Sequence, residues 1–284
     1  MNKKMMKMLY KRKTAFVGSI IILLVIITAL FAPFVAPYDP NLSDLDKRLM
    51  PPSWEEDGSQ EHLLGTDHLG RDLLSRIIYG TRISLLVGII TVLLSGIFGT
   101  VLGLLGGFYR GFIDSFLMRL TEVQLAFPFI LLALAIMSVL GPGLRNVILV
   151  LSITGWVMYS RLVRGEVLLL RELEYVKAAK ALGQKNRKII FGHILPNVFP
   201  TIVVVGTLRV ANMIIAEASL TFLGLGVESS IPTWGSMLAD GRNYITSAWW
   251  VATFPGIAIM LTVLGINLVG DWLRDVLDPR LRTS

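Results

Sequence analysis

The 284-residue sequence has no cysteine, three histidines, and charge on only 17% of its residues. Without cysteine there are no disulfides and no thiolate metal sites. His62, His68 and His193 form no ligand cluster in the sequence, so no metal site is expected from them. No Gly-x4-Gly-Lys-Ser/Thr run is present, so the chain cannot cradle ATP phosphates in that way. No Ser-His-Asp grouping or pair of carboxylates suited to catalysis stands out either, and an enzyme is not expected. A soluble chain would carry about 25% charged residues, well above the fraction here.

Long apolar runs take the place of charge. Residues 14–38, 83–109, 123–144 and 243–270 carry no Asp, Glu, Lys or Arg. Each exceeds the roughly 20 residues that an α-helix needs to cross a bilayer. Barrel strands alternate in short segments, so a β-barrel is excluded. The expected fold class is all-α and polytopic, with six transmembrane helices. Their approximate spans are 15–36, 83–105, 121–140, 146–163, 198–221 and 250–268. The net charge of +7 does not point to nucleic acid, because the basic residues sit beside the apolar blocks on alternate sides. Lys3, Lys4, Lys7, Lys11, Arg12 and Lys13 precede the first span, and the stretch from Arg161 to Lys188 is strongly basic. By the positive-inside rule both termini and that stretch lie in the cytoplasm. Trp249 and Trp250 are expected at the outer interface and Trp272 at the inner one.

Residues 37–79 are rich in acids and read as an outer loop. The run Gly-Thr-Asp-His-Leu-Gly-Arg-Asp-Leu-Leu-Ser-Arg at 65–76 places Leu73, Leu74, Ile77 and Ile78 on one helical face. Asp67–Arg71 and Asp72–Arg76 have i,i+4 spacing. Either an interfacial helix or a loop helix packed on the bundle fits this pattern. In the second span Ser95, Gly99, Gly103 and Gly107 recur every four residues, a flat ridge suited to close helix packing or to a hinge. The fifth span contains Arg209 and Glu217. Ionisable groups inside a span cost about 2.5–3.5 kcal/mol each. The two either line or gate a pathway, or form a buried structural pair.

The stretch from Arg171 to Pro196 organises the rest. Good helix formers run from Val163 to Leu182. Gly183 then suits a left-handed cap. Lys185–Phe191 can form a second short helix, and Pro196 can open another. Ala178 and Ala179 leave a low face that a partner can approach closely. From charge alone, an ordinary basic loop at the inner leaflet is the alternative.

The spacing of Ala178, Ala179, Gly183, Leu195 and Pro196 resembles the Glu-Ala-Ala-x3-Gly-x9-Ile-x-Leu-Pro loop of ABC importer permeases. Lys177 stands where that loop has Glu, and His193 where it has Ile. The Gly-Thr-Asp-x2-Gly-Arg-Asp run at 65–72, the Leu-Thr-Phe-Leu-Gly-Leu-Gly run at 220–226 and the Gly-Asp-Trp-Leu-Arg-Asp-Val-Leu-Asp-Pro-Arg ending are similar to the second permease type of dipeptide, oligopeptide and nickel importers. The resemblance implies the type I importer permease fold. Its parts would be the N-terminus with the first helix (1–36), an extracytoplasmic loop (37–82), a five-helix core (83–273) with a coupling loop at 166–196, and a tail (274–284). It implies a heterodimer with a homologous permease, one or two ABC ATPase subunits that carry ATP and Mg, and an extracytoplasmic solute-binding protein. The chain itself is expected to bind no cofactor. ATPase coupling would fall to Glu174, Tyr175, Lys177, Ala178, Ala179, Leu182 and Gly183, with Glu174 a candidate for the polar contact that Lys177 does not provide. Peptides are the expected cargo, in the cell membrane. Nickel or another small solute and, further off, an ion-coupled secondary carrier are the alternatives.

Overall fold

The computed structural model describes residues 12–228 and 230–277. The basic N-terminal run before Arg12 and the arginines beyond residue 277 lie outside the described residues. The described residues form an all-helical bundle in which five helices are long and apolar enough to cross a membrane. They are α1 (Lys13–Leu30), α3 (Leu73–Tyr109), α6 (Leu144–Leu170), the run Asn186–Phe222 and α11 (Trp250–Leu277). A bent pair, α4 (Gly111–Leu125) and α5 (Phe129–Leu140), makes a sixth candidate if the two count as one span.

The straight helix expected over 121–140 is not found. The two helices meet at 87°. Pro128 supplies the cause, since its ring disfavours helical backbone at the residue before it. Residues 111–119, which lie between the second and third expected spans, are the first part of α4.

Helix α3 departs further from expectation. The segment read as a separate surface helix is its first turn and a half, continuous with the membrane span. At 1.5 Å per residue its 37 residues reach about 55 Å. Asp72 is the N-cap, accepting from the Ser75 backbone N at 2.7 Å and from Ser75 Oγ at 2.6 Å. Its remaining oxygen meets His62 Nδ1 at 3.0 Å. Asp72 is therefore taken, and the expected Asp72–Arg76 pair does not form. Arg76 turns to Asp67 (3.4 Å) and Asp240 (3.8 Å), and Arg71 bonds the same two acids at 2.7 and 3.2 Å. Asp240 comes from α10 (Trp234–Gly241), a helix between the fifth and sixth expected spans. Between Val35, where the short helix α2 (Ala32–Val35) ends, and α3, the acidic segment folds down onto this end of the bundle. Trp250 is buried there, its Nε1 donating to the Thr66 carbonyl at 3.1 Å, and Trp272 is buried within α11.

The bundle is closed by tight helix contacts. On α3, a Cβ at Gly99 would lie 2.4 Å from the Trp156 carbonyl oxygen, and one at Gly103 would lie 2.6 Å from that of Ser160. One at Gly107 would meet Val167 Cβ at 2.8 Å, and Ser95 faces Gly155 of α6. The ridge of small residues is thus the seam along which α3 and α6 touch. Helix α1 packs more loosely, with much of its apolar surface exposed, and Gly18 seats it on α11.

Candidate functional site

The end of the bundle opposite the acidic segment carries the basic stretch. Helix α6 stops at Leu170, a turn of three residues follows, and α7 spans Glu174–Ala181. The single helix expected from Val163 to Leu182 is therefore broken at Arg171–Leu173. The break has a visible cause. The Arg171 guanidinium turns aside to the C-terminal carbonyls of α3, donating to Phe108 O at 2.6 Å and Gly107 O at 3.4 Å. Cations near a helix C-terminus satisfy its free carbonyls and its dipole. Gly183 then takes φ +74°, a left-handed conformation that costs a side chain-bearing residue steric energy.

Beyond Gly183, α8 (Asn186–Ile189) runs without a stop through a π-turn (Ile190–Ile194) into α9 (Leu195–Phe222). The separate short helix expected to end at Phe191 is fused to the next span. The wide π-turn lies directly before Pro196, where a regular helix would drive the proline ring into a carbonyl four residues back.

Helix α7 is held by one side. Val176 is buried with Leu104, Val163, Val167, Ile189, Ile190, Ile194 and Val198, and Ala179 packs on the edge of this group. Tyr175, Ala178 and Leu182 point away and are exposed, Leu182 at 88%. Spaced i, i+3, i+7, they make one face. Glu174 is exposed in the first turn, where the helix dipole favours an acid. Lys177 does not stand free. Its Nζ lies 3.1 Å from Glu172 Oε2, and Glu172 also faces Arg110 at 3.3 Å and Arg171 at 3.6 Å. The Lys177 hydrogen bond, with the charges of Lys177, Arg110 and Arg171 behind it, holds the Glu172 carboxyl below the usual range. On the other flank His193 Nε2 meets Gln184 Oε1 at 2.9 Å, and Asn197 Nδ2 donates to the Tyr175 hydroxyl at 3.4 Å. Polar residues thus fasten both edges of the loop, where the family pattern has Ile at the place of His193.

Glu172, Arg110 and Val176 escaped the sequence reading, as did the ion pair in which Arg164 Nη2 meets Asp114 Oδ2 at 2.7 Å. The partners of these ion pairs are 50 to 62 residues apart, and no local spacing announces them. Arg209 and Glu217, expected either at a pathway or as a pair, do not pair. Glu217 is fully buried, accepting from Thr221 Oγ1 at 2.9 Å and Ser84 Oγ at 3.4 Å. Arg209 has no carboxylate partner among the described residues. Asp67, His68 and Asp240 have ligand atoms within 4.8 Å of one another. Arg71 and Arg76 already supply the positive charge to those two carboxylates.

The described residues thus form a bundle of helices long and apolar enough to cross a membrane, with one small, exposed helix held against their ends. The chain belongs to the family described as binding-protein-dependent transport system inner membrane component, whose model matches residues 99–283. A second model, the N-terminal TM domain of oligopeptide transport permease C, matches residues 2–52. A di/tripeptide transport system permease protein of Pseudomonas aeruginosa is 47% identical over 272 residues, covering 96% of this chain and 90% of the relative. A dipeptide transport system permease protein of Alkalihalophilus pseudofirmus is 47% identical over 277 residues, covering 98% and 89%. A glutathione transport system permease protein of Pectobacterium atrosepticum is 44% identical over 274 residues, covering 96% and 89%. The protein is therefore an inner-membrane transport subunit rather than an enzyme. ATPase subunits and a solute-binding protein are its partners, and ATP hydrolysis belongs to the former.

Proposed function

We propose that this chain forms half of the translocation pathway of a peptide importer, beside a homologous permease in a heterodimer. One or two ATPase subunits with ATP and Mg dock on the cytoplasmic side, and the binding protein delivers cargo from the other. In this reading α7 is the coupling helix and both termini are cytoplasmic. Residues 1–36 form the N-terminal anchor, 37–82 the extracytoplasmic loop and 83–273 the core that holds the coupling loop, with 274–284 as the tail. The observation that carries the coupling role is the asymmetry of α7. Val176 and Ala179 root it in the bundle, while Tyr175, Ala178 and Leu182 present a low apolar face to a partner. Its attachments reach the ends of α3 through Arg171 and Arg110, and of α9 through Tyr175 and Asn197. A push on α7 thus has a route into α3 and α9, and into α6 through the chain and the cluster that Val176 shares with Val163 and Val167. Glu174 and Lys177 would supply the polar contacts, with Lys177 shared between Glu172 and the ATPase. Such a switch works only if nucleotide binds its two states unequally.

Peptide cargo is supported by the relatives, which are named for dipeptides, tripeptides and glutathione. The test is uptake of a labelled dipeptide by vesicles holding the full complex, with unlabelled tripeptide and nickel as competitors. Competition by tripeptide and none by nickel supports the reading. Competition by nickel alone moves the cargo to the metal, and uptake that follows an ion gradient without ATP defeats the importer altogether.

A further inference from the structure

Between α3 and α9 runs an apolar groove of about 560 Å³. Ile89, Leu93, Ile97 and Val101, each one helical turn from the next, form its α3 wall, and Leu195 and Phe199 begin the facing wall on α9. All of these but Leu195 are exposed. No charged side chain lines the groove. From Leu104 to Ile89 its α3 wall runs about 22 Å at 1.5 Å per residue. One leaflet supplies half of a hydrocarbon core ~30 Å thick, so the groove is deep enough for an acyl chain of one leaflet.

At the α7 end this groove meets a second cavity, of about 440 Å³, lined by Lys185, Arg187, Lys188 and Phe191. Phe191 belongs to both, and its ring is exposed. No acid lines either cavity, and none of the three cations has a carboxylate partner among the described residues. In this they differ from Arg110, Arg171 and Lys177, which share Glu172. Three unanswered cations at the open end of a hydrocarbon slot match one molecule with an anionic head and an apolar tail. A protein span laid in the groove would cover the hydrocarbon and leave the cations unmet. A soluble acid would meet the cations and leave the hydrocarbon bare. Basic pockets beside spans at the cytoplasmic surface take anionic lipid headgroups, and lysine and arginine both pair with phosphate.

We propose that Lys185, Arg187 and Lys188, with the groove between α3 and α9, hold an anionic glycerophospholipid of the inner leaflet. Its phosphate sits at the cations, and one acyl chain passes Phe191 and lies along the groove. The inference rests on the orientation given above, with α7 on the cytoplasmic side. It goes beyond that reading by placing a lipid against the π-turn Ile190–Ile194, the segment that joins α8 to α9.

The test uses the complete complex in phosphatidylcholine vesicles that contain a trace of a lipid with a photoreactive acyl chain, either phosphatidylglycerol or phosphatidylcholine. Cross-linked residues are mapped by mass spectrometry. In wild type the phosphatidylglycerol probe marks groove residues such as Ile97 and Phe199 at least about fivefold more than the phosphatidylcholine probe, the worth of one surface cation. Replacing Lys185, Arg187 and Lys188 together by Gln brings the two probes level. In Gly206→Leu the new side chain fills the groove, since a Cβ there meets nothing nearer than 3.7 Å, and the adducts of both probes are lost. Equal marking by the two probes in wild type reduces the groove to ordinary bilayer contact and overturns the site. A phosphatidylglycerol preference that survives the triple Gln variant overturns it as well. So does an absence of marking by either probe, and loss of the sister permease from purified Gly206→Leu would then name the occupant. The orientation is checked apart from the lipid, with Leu182→Cys as the one cysteine of the chain. Labelling by an impermeant maleimide in intact cells puts this end outside and removes the reading on which the inner-leaflet site rests. Labelling only after the membrane is opened keeps it.

Discussion

The two ends of the bundle handle charge in opposite ways. At the acidic-segment end Asp67, Arg71, Arg76 and Asp240 interlock, and Arg76 is wholly buried. At the α7 end Arg110, Glu172 and Lys177 form an equally connected group, but each side chain is about half exposed or more. A buried ion group resists removal of any one member, because the survivors cannot be hydrated where they stand. An exposed one is exchanged readily for water and ions. The first arrangement fixes a loop to two helices, α3 and α10; the second lets a helix shift against its neighbours. If α7 is the coupling helix proposed above, a bundle pushed at that end gains from being stiff at the other.

The largest test of this contrast is Asp67→Ala. It leaves Arg71 and Arg76 with Asp240 alone, and a loss of about 3–5 kcal/mol is expected. The detergent-purified protein should unfold at much lower temperature, with little accumulating in the membrane. Normal abundance and an unchanged melting temperature would show that the knot is ornamental. A smaller effect is expected at the seam between α3 and α6. Gly103→Val drives its side chain into the Ser160 carbonyl and Val163 Cβ, at 2.6 and 2.8 Å from the new Cβ. The helices must separate, at about 1–3 kcal/mol for overpacking, again read by melting.

At the other end, substitutions should change coupling more than stability. Ala178→Trp adds bulk to the exposed face of α7 and touches nothing of the bundle's own. Abundance should stay near wild type while uptake is lost and ATP hydrolysis continues. Ala179→Trp is a poorer probe, because Ala179 packs against the valine and isoleucine cluster and the indole would also prise α7 off its seat. Gly183→Val meets no neighbouring atom but must hold φ +74°, at about 1–2 kcal/mol. It should loosen the C-terminal cap of α7 and uncouple with a modest stability loss. Wild-type uptake in both Ala178→Trp and Gly183→Val would remove α7 as the point of entry.

Much of this contrast is visible in the sequence, for physical reasons that also mark where visibility ends. Unbroken apolar runs give the spans, because nothing else in a protein needs so many consecutive uncharged residues. The small-residue ridge on α3 shows because it repeats every helical turn. Gly183 shows because a helix stop and a positive φ favour the same residue. The break at Arg171–Leu173 does not show: every residue there tolerates helix, and the cause is a carbonyl end more than sixty residues upstream. The same holds for Asp240 meeting Arg71 across 169 positions. Asp72 misled because i,i+4 spacing to Arg76 and an N-cap role are both available to it, and the backbone of Ser75 competes better. Pro128 was the available clue to the 87° bend. The apolar composition on both sides hid it, since a kinked span and a straight one have the same hydropathy.

The subtlest expected effect concerns the exposed charge group itself. Neutralising Glu172 with Glu172→Gln removes the common partner of Lys177, Arg110 and Arg171, while Arg171 keeps its bonds to the α3 carbonyls. Helix α7 should stay folded and become easier to open. Because Lys177 and its neighbours hold the Glu172 carboxyl below the usual range, the linkage has one sign. The contribution is complete above the ordinary glutamate value near ~4.3 and fades as pH falls through the lowered one. Hydrogen exchange of the α7 amides should therefore be faster in Glu172→Gln than in wild type at pH 7, by less than about fivefold for so exposed a group. The ratio should hold flat from pH 8 down to about 5 and close towards one in more acid solution. A ratio that stays open as the carboxyl protonates would mean that the side chain's shape, not its charge, restrains α7. The distinction drawn between the two ends would then lose its electrostatic basis.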